Sequence, residues 1–534
     1  MGTRVSGGQA VVRALVAHGV DTIFGIPGVH TLALYDALVD APIRHVLGRH
    51  EQGVGFMADG YARASGRPGV ASVITGPGVT NIATAVGEAY TDSSPVLVIA
   101  SGEDQRWAGQ MRGNIHDIRD QTAVIRPLVN WAGRATEVSK IPGLIDDAFG
   151  RMASHRPRPA YLEIPRDVLS AEAAADSPMP TPACRPDPAS EAIAAAVRTI
   201  AGAKRIVVYA GGGAVSSGAN RELTALVDRL GAVALTSQMG KGSVPEDHPR
   251  SLGNLSPTDP AIATLLRQAD LALVVGSKLG ASETERGEMV LPATMIQIDI
   301  DPEEMGRNYK PSQAIVGDAR ATARALVDGL AAAAITKHGW SEAEIAAARE
   351  AALGRAFGAE HADYLAALRR AIPRDGILVN DATMMSYAAA RRYPVYEPRT
   401  FFVPAGYLTL GASMPMALGA KVARPEATVV AIVGDGGFQF TMQELATAVQ
   451  FRLGVPIVIF NDSTYTAVKW EQAHEYDRRY LGVDLVNPDF IALAGAYGIP
   501  GVRANSPAEL ERAVVEAAGR DGPTIIDTPI RFDY

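Results

Sequence analysis

Apolar positions along the chain change period again and again, from a helical repeat to short β-rich runs and back. Val11 to His18 repeats with helical spacing, and Thr22-Ile23-Phe24, Val70 to Ile74 and Val96 to Ala100 are compact runs suited to buried strands. That rhythm predicts a parallel sheet covered by helices. Between Ser177 and Pro188 it stops, and five prolines (Pro178, Pro180, Pro182, Pro186, Pro188) mark an extended connector. A second set follows, with strands at Ile206 to Tyr209, Leu271 to Val275 and Met295 to Ile300, running out into the Ala-rich stretch Ala319 to Arg355, which reads as helical and connecting. A third starts near Ile377-Leu378-Val379 and includes Val429 to Val433, Val455 to Phe460 and Thr524 to Ile526. The expectation is an α/β protein of three doubly wound parallel-sheet domains, at 1–176, 189–330 and 360–534.

Length agrees, since 534 residues exceed one ordinary core and divide into three units of about 100–200. A net charge of −8 without a Lys/Arg block gives no footprint for nucleic acid or an anionic membrane, so small-molecule or protein partners are favoured. The single cysteine, Cys184, cannot form an internal disulfide. No apolar run reaches the roughly 18–20 residues that span a bilayer, and the N-terminus lacks a basic-then-apolar signal pattern. A cytoplasmic location is expected.

Chemistry enters at the end of the run Val429 to Val433, where Gly434-Asp435-Gly436-Gly437 follows a buried parallel strand. Met442, Leu445, Ala446 and Val449 then repeat at i, i+3, i+4, i+7 and predict one apolar helix face, closed by Gly454 before the strand Val455 to Phe460. This is a βαβ unit. Its right-handed crossover brings Asp435 and Asn461-Asp462 to the same carboxyl edge of the sheet. Oxygen ligands beside the amides of a glycine-rich turn suit a Mg²⁺-diphosphate, and an unrelated strand-ending turn is the alternative.

The stretch GDGGFQFTMQELATAVQFRLGVPIVIFND resembles the signature of the thiamine-diphosphate-dependent enzymes, GDG followed after somewhat under thirty residues by NN. It departs at the last position, where Asp462 replaces the common Asn. The resemblance implies Mg²⁺ held by Asp435, Asp462 and the carbonyl of Thr464, with Gly434, Gly436, Gly437 and Tyr465 around the diphosphate. Arg49-His50-Glu51-Gln52-Gly53 with Ala58 to Arg63 is similar to the segment carrying the family's glutamate, so Glu51 takes the place beside the aminopyrimidine. Phe24-Gly25-Ile26-Pro27-Gly28 and Thr75-Gly76-Pro77-Gly78 with Thr80-Asn81 match two further segments, adding Pro27, Thr75 and Asn81. Gly406 to Gly411 resembles the segment that contacts the pyrimidine through a carbonyl, here Leu408, and bends the cofactor with an apolar wedge, here Leu410. The family pairs the glutamate domain of one subunit with the GDG domain of another, which implies a homodimer or homotetramer.

The family's chemistry is attack of the cofactor's C2 carbanion on a 2-oxo acid, with loss of CO₂ leaving an enamine that is protonated by a decarboxylase or joined to a second carbonyl by a carboligase. His30, His116 and Gln121 lie where the family lines its substrate cavity and are candidates for proton transfer, with solvated loop residues as the alternative. There is no His-His pair, and Val468 stands where pyruvate decarboxylases place a glutamate, which disfavours simple pyruvate decarboxylation. FGIPGVHT and His116 with Asp120-Gln121 look most like the 5-guanidino-2-oxopentanoate decarboxylase branch. A guanidinium tail wants a carboxylate, and Asp117, Asp120, Glu471, Glu475 and Asp477 are all available. Ile298-Asp299-Ile300-Asp301-Pro302 and the RHEQG segment resemble acetohydroxyacid synthases, the carboligase alternative. Those synthases carry FAD in the central domain and most decarboxylases do not, so FAD is left open. Gly211-Gly212-Gly213 lacks a full dinucleotide fingerprint and reads as a structural turn.

Overall fold

A computed structural model describes residues 3–175 and 180–532. The N-terminal part begins with β1 (Thr3–Ser6), continues through β2 (Thr22–Gly25), β3 (Arg44–Leu47), β4 (Gly69–Val73), β5 (Val96–Gly102), β6 (Trp131–Arg134) and β7 (Ala160–Pro165), and ends on β8 (Glu172–Ala175), which pairs antiparallel with β1. β2 to β7 form one parallel sheet in the order β3-β2-β4-β5-β7-β6. Its inner strands are continuous apolar runs because helices cover both faces.

The centre is a five-stranded parallel sheet of β9 (Ile206–Ala210), β10 (Val233–Thr236), β11 (Leu271–Val275), β12 (Met295–Asp299) and β13 (Gln313–Val316), ordered β10-β9-β11-β12-β13. The third sheet holds β14 (Ile377–Asn380), β15 (Phe401–Phe402), β16 (Val429–Gly434), β17 (Pro456–Asn461), β18 (Gly501–Arg503) and β19 (Thr524–Pro529), ordered β15-β14-β16-β17-β19-β18. All its pairings are parallel. Strand for strand, this order repeats that of the first sheet. Three doubly wound α/β sheets are what the periodicity predicts.

The two outer sheets share one hydrophobic core, in which Phe56, Met57 and Ile82 meet Met414, Met416 and Leu418. At its heart the helix Glu51–Ser65 crosses the helix Ser413–Ala423 at two glycines. A Cβ on Gly60 would come within 1.9 Å of the Met416 carbonyl oxygen, and one on Gly419 within 1.9 Å of that of Met57. Only bare backbones can approach so closely.

Two expectations are corrected. The apolar face expected at Met442, Leu445, Ala446 and Val449 is not the buried one: Val449 is 39% exposed, and the buried residues are Glu444, Leu445, Thr447 and Ala448. A 3₁₀ turn at Met442–Glu444 precedes the helix Leu445–Gln450 and shifts its phase, because the Glu444 carboxylate is drawn inward by the amides of Arg49 and His50. The stretch Ala319 to Arg355 is not one connecting run but two helices, Ala319–Ala332 and Glu342–Arg355. Between them Trp340, 2% exposed, donates its indole N–H to the Ile206 carbonyl at 3.0 Å and packs in the central core. The Pro-rich connector lies outside the described residues up to Met179, and Cys184 beyond it is exposed. Among the described residues no helix is long and apolar enough to cross a membrane.

Candidate active site

The carboxyl ends of β2, β4 and β5 meet in one hydrogen-bonded cluster. After β4 the chain turns at Gly76, whose φ of +67 suits glycine, and Pro77 opens the helix Pro77–Thr91. A Cβ on Gly76 would stand 2.7 Å from the His116 carbonyl oxygen. The Gly76 amide donates to Gln121 Oε1 (3.0 Å), and Gln121 Nε2 donates to the Ser101 carbonyl (2.8 Å). Thr75 Oγ1 lies 2.9 Å from Ser101 Oγ and 3.0 Å from His30 Nδ1. The His30 ring stands edge-on to His116, with centroids 5.3 Å apart. His30, Thr75, Gln121 and His116 are therefore neighbours, although up to 91 positions (30 to 121) part them. Burial lowers the proton affinity of His30 below that of an ordinary imidazole, against the opposing pull of Glu103 and Asp104.

Glu51 is the first residue of its helix and half-buried, and Asn81 Nδ2 donates to its Oε2 at 2.9 Å. Asn81 sits on the helix that Thr75-Gly76 introduces, so one turn sets both groups. Pro27 is exposed at the rim.

At the third sheet, Asp435 follows β16 and Asp462 follows β17, side by side in a parallel pair. Asp435 Oδ2 accepts the Ser463 amide (2.8 Å) and Asn487 Nδ2 (2.5 Å), and Asn487 also donates to Asn461 Oδ1 (3.2 Å). Asp462 accepts the amide of Thr464 (3.3 Å) and the hydroxyl of Thr466. Burial pushes the Asp435 carboxyl above the usual carboxylate range. Burial first, and then the charge of Asp435, pushes Asp462 to about 6. A buried carboxylate beside a half-buried one whose charge it disfavours fits a divalent cation with oxygen ligands. Among the described residues no three or more His, Cys, Asp and Glu side chains gather as a metal site, so a third protein ligand here would come from the main chain, as the expectation for the Thr464 carbonyl requires. Gly436 lies against Tyr465, where a Cβ would come within 2.4 Å of a ring carbon.

Asp381, at the end of β14, is fully buried and accepts the amides of Gly411 (2.9 Å) and Ser413 (3.0 Å), while a Cβ on Gly437 would meet it at 3.1 Å. It thereby ties the GDG turn to the segment bearing Leu408 and Leu410. Leu408 has a φ of +58 and is 45% exposed, and Leu410 is half-buried. The other side of that segment is held by the first sheet's helix: Glu88 accepts the amides of Tyr407 (3.3 Å) and Thr409 (3.1 Å), and Asp92 those of Ala405 (3.1 Å) and Gly406 (2.8 Å). Among the described residues no hydrogen bond or ion pair joins Glu51 to Asp435 or Asp462. Sequence reading missed Asp381, Asn487, Ser101 and Glu88. Asp381 alone had a local signal, an acid directly after a β-rich run, as at Asp435.

Comparison with known proteins bears on the whole chain. Residues 5–124 match the thiamine pyrophosphate enzyme N-terminal TPP binding domain, 193–326 the central domain, and 381–528 the C-terminal TPP binding domain. The chain is 41% identical to the probable 2-ketoarginine decarboxylase AruI of Pseudomonas aeruginosa, over 98% of this chain and 94% of that protein. It is 33% identical to a probable acetolactate synthase large subunit of Methanocaldococcus jannaschii (98% and 92%) and to acetolactate synthase isozyme 3 large subunit of Escherichia coli (96% and 92%). Full-length identity at this level, with three matched domains in order, establishes that the chain belongs to the thiamine pyrophosphate enzyme family.

Proposed function

We propose that this enzyme is a thiamine-diphosphate- and Mg²⁺-dependent decarboxylase of a 2-oxo acid whose side chain ends in a guanidinium. The observation that carries the reading is the 41% identity over 98% of the chain to a protein named as a 2-ketoarginine decarboxylase, against 33% to the synthases. Thiamine diphosphate, when bound, supplies the electron sink that lets a 2-oxo carboxylate leave as CO₂. Asp435, Asp462 and the Thr464 carbonyl would hold Mg²⁺, with the amides of Gly436 and Gly437 toward the diphosphate and Gly434 and Tyr465 shaping that turn. Glu51, fixed by Asn81, would hold the proton that the aminopyrimidine needs. The Leu408 carbonyl and the Leu410 side chain would orient the ring system. Thr75 and Pro27 line the approach, while His30, His116 and Gln121 would handle protons at the substrate.

The resemblance to the family implies a homodimer or homotetramer in which each active site draws on Glu51 of one chain and Asp435 of another, and the lack of a bond between these two residues within one chain is compatible with that arrangement. The single cysteine, which cannot form an internal disulfide, favours the reducing cytoplasm. At the carboxyl edge of the central sheet a cleft of about 520 Å³, lined by Gly212, Gly213, Lys278, Asp299 and Arg399, has room for a nucleotide-bearing cofactor such as the FAD of the synthases. A flavin absorbance in the purified protein decides whether it is used.

The test is the product spectrum from a panel of 2-oxo acids with thiamine diphosphate and Mg²⁺. Release of CO₂ with free aldehyde supports decarboxylation, best with 5-guanidino-2-oxopentanoate. Chiral acyloins without aldehyde would instead support the carboligase reading that the acetolactate synthase relatives suggest. Turnover of no member would refute both.

A further inference from the structure

We propose that Glu103 is the specificity residue that takes the cationic end of the substrate, an assignment that rests on the decarboxylase reading above. Glu103 follows directly on Gly102, the last residue of β5, at the same carboxyl edge as Ser101, whose hydroxyl meets Thr75 and whose carbonyl meets Gln121. It borders the cluster of His30, His116 and Gln121 and reaches none of them by a hydrogen bond.

Its carboxylate is half used. Oε1 accepts the Asp104 amide at 3.1 Å, whereas Oε2 is buried and has no hydrogen-bond partner. Arg166 is held by Asp104 through a two-pronged pair, Nε to Oδ1 at 3.1 Å and Nη2 to Oδ2 at 3.0 Å, and among the described residues makes no hydrogen bond to Glu103. The other neighbour, His30, is turned to Thr75, and burial disfavours its charged form. Among the described residues no ion pair joins the Glu103 carboxylate to a cation, and its buried oxygen is left without a donor. A buried carboxylate oxygen in that state is costly, and a guanidinium offering parallel N–H groups satisfies it in the way that Arg166 satisfies Asp104.

The acids considered from sequence serve this role less well. Glu471, Glu475 and Asp477 are exposed, Asp120 caps the helix Gln121–Ile125 through the Ala123 amide, and Asp117 accepts the Gly113 amide.

Wild type and Glu103→Gln holoenzymes should be compared on 5-guanidino-2-oxopentanoate and on the neutral 2-oxooctanoate. The ratio of kcat/KM for the cationic over the neutral acid should fall about 30-fold or more in the variant, chiefly through KM. Affinity for the unreactive 5-guanidinopentanoate, measured by calorimetry, should fall in parallel, and Glu103→Asp should keep part of the preference. An unchanged ratio, or equal losses on both acids, would overturn the assignment, the latter pointing to a role through His30. If the wild type turns over no 2-oxo acid, the decarboxylase reading fails, while the calorimetry still judges Glu103.

Discussion

Asp462 concentrates what is unusual about this site at the scale of one residue. The family commonly places an amide there, whereas this chain sets a second, half-buried carboxylate next to Asp435 and drives its pKa up to about 6. Asp462→Asn is therefore expected to raise the thermal midpoint of the metal-free protein at neutral pH, because one of two repelling charges is gone. The same variant should gain less on adding Mg²⁺ with thiamine diphosphate, and scanning calorimetry with and without them reads both effects. Glu51→Gln should lower kcat by ~10²–10⁴-fold, as loss of a positioned acid or base does. Its calorimetric affinity for the cofactor should stay near that of wild type. Asp435 was legible from the sequence because strand, glycine turn and acid are contiguous. Glu51 was legible only through resemblance, since a glutamate at a helix start is otherwise unremarkable. Asn487 was not legible at all: 52 positions (435 to 487) separate it from the carboxylate it serves, and nothing local marks it.

Elements carry the next level, and the helix Pro77–Thr91 shows how. Its first turns present Asn81 to Glu51, and its last turns present Glu88 to the segment that holds Leu408 and Leu410. Burial, reinforced by the charge of Asp92 and opposed by Arg63, lifts Glu88 from 4.5 to about 8. A raised acid contributes stability that is fully present below 4.5 and is lost as pH rises through about 8. Glu88→Gln should therefore flatten the fall of the thermal midpoint across that window and, by replacing an acceptor with a donor, weaken cofactor binding by about tenfold. The crossing of Glu51–Ser65 with Ser413–Ala423 makes a second demand. Gly60→Ala or Gly419→Ala places a methyl 1.9 Å from a carbonyl oxygen, and either should cost ~3 kcal/mol or more in denaturant unfolding. Strands were read well from sequence because their buried runs are continuous. The phase of the helix Leu445–Gln450 was misread because a tertiary bond to Glu444, invisible to periodicity, sets it.

For the whole molecule the governing fact is that the two halves of the candidate site lie on different sheets. If each active site combines Glu51 of one chain with Asp435 of another, co-refolding Glu51→Gln with Asp435→Ala should restore about a quarter of wild-type activity. Random pairing makes half the dimers mixed, and each mixed dimer has one intact site. No recovery would mean that the sites are not shared. Three α/β units were legible from the alternation of periods, but that the first and third sheets have the same strand order emerged only from their pairing. The reciprocal contact of Gly60 with Met416 and of Gly419 with Met57 has a further consequence. Each side supplies both a notch and the oxygen that fills the other notch, so the seam does not depend on peptide continuity between them. With Arg63 donating to the Val403 carbonyl and Glu444 accepting the amides of Arg49 and His50 nearby, a nick in the exposed stretch 182–184 should leave the two fragments bound to one another. The gene could be divided there and the enzyme rebuilt from separately expressed pieces.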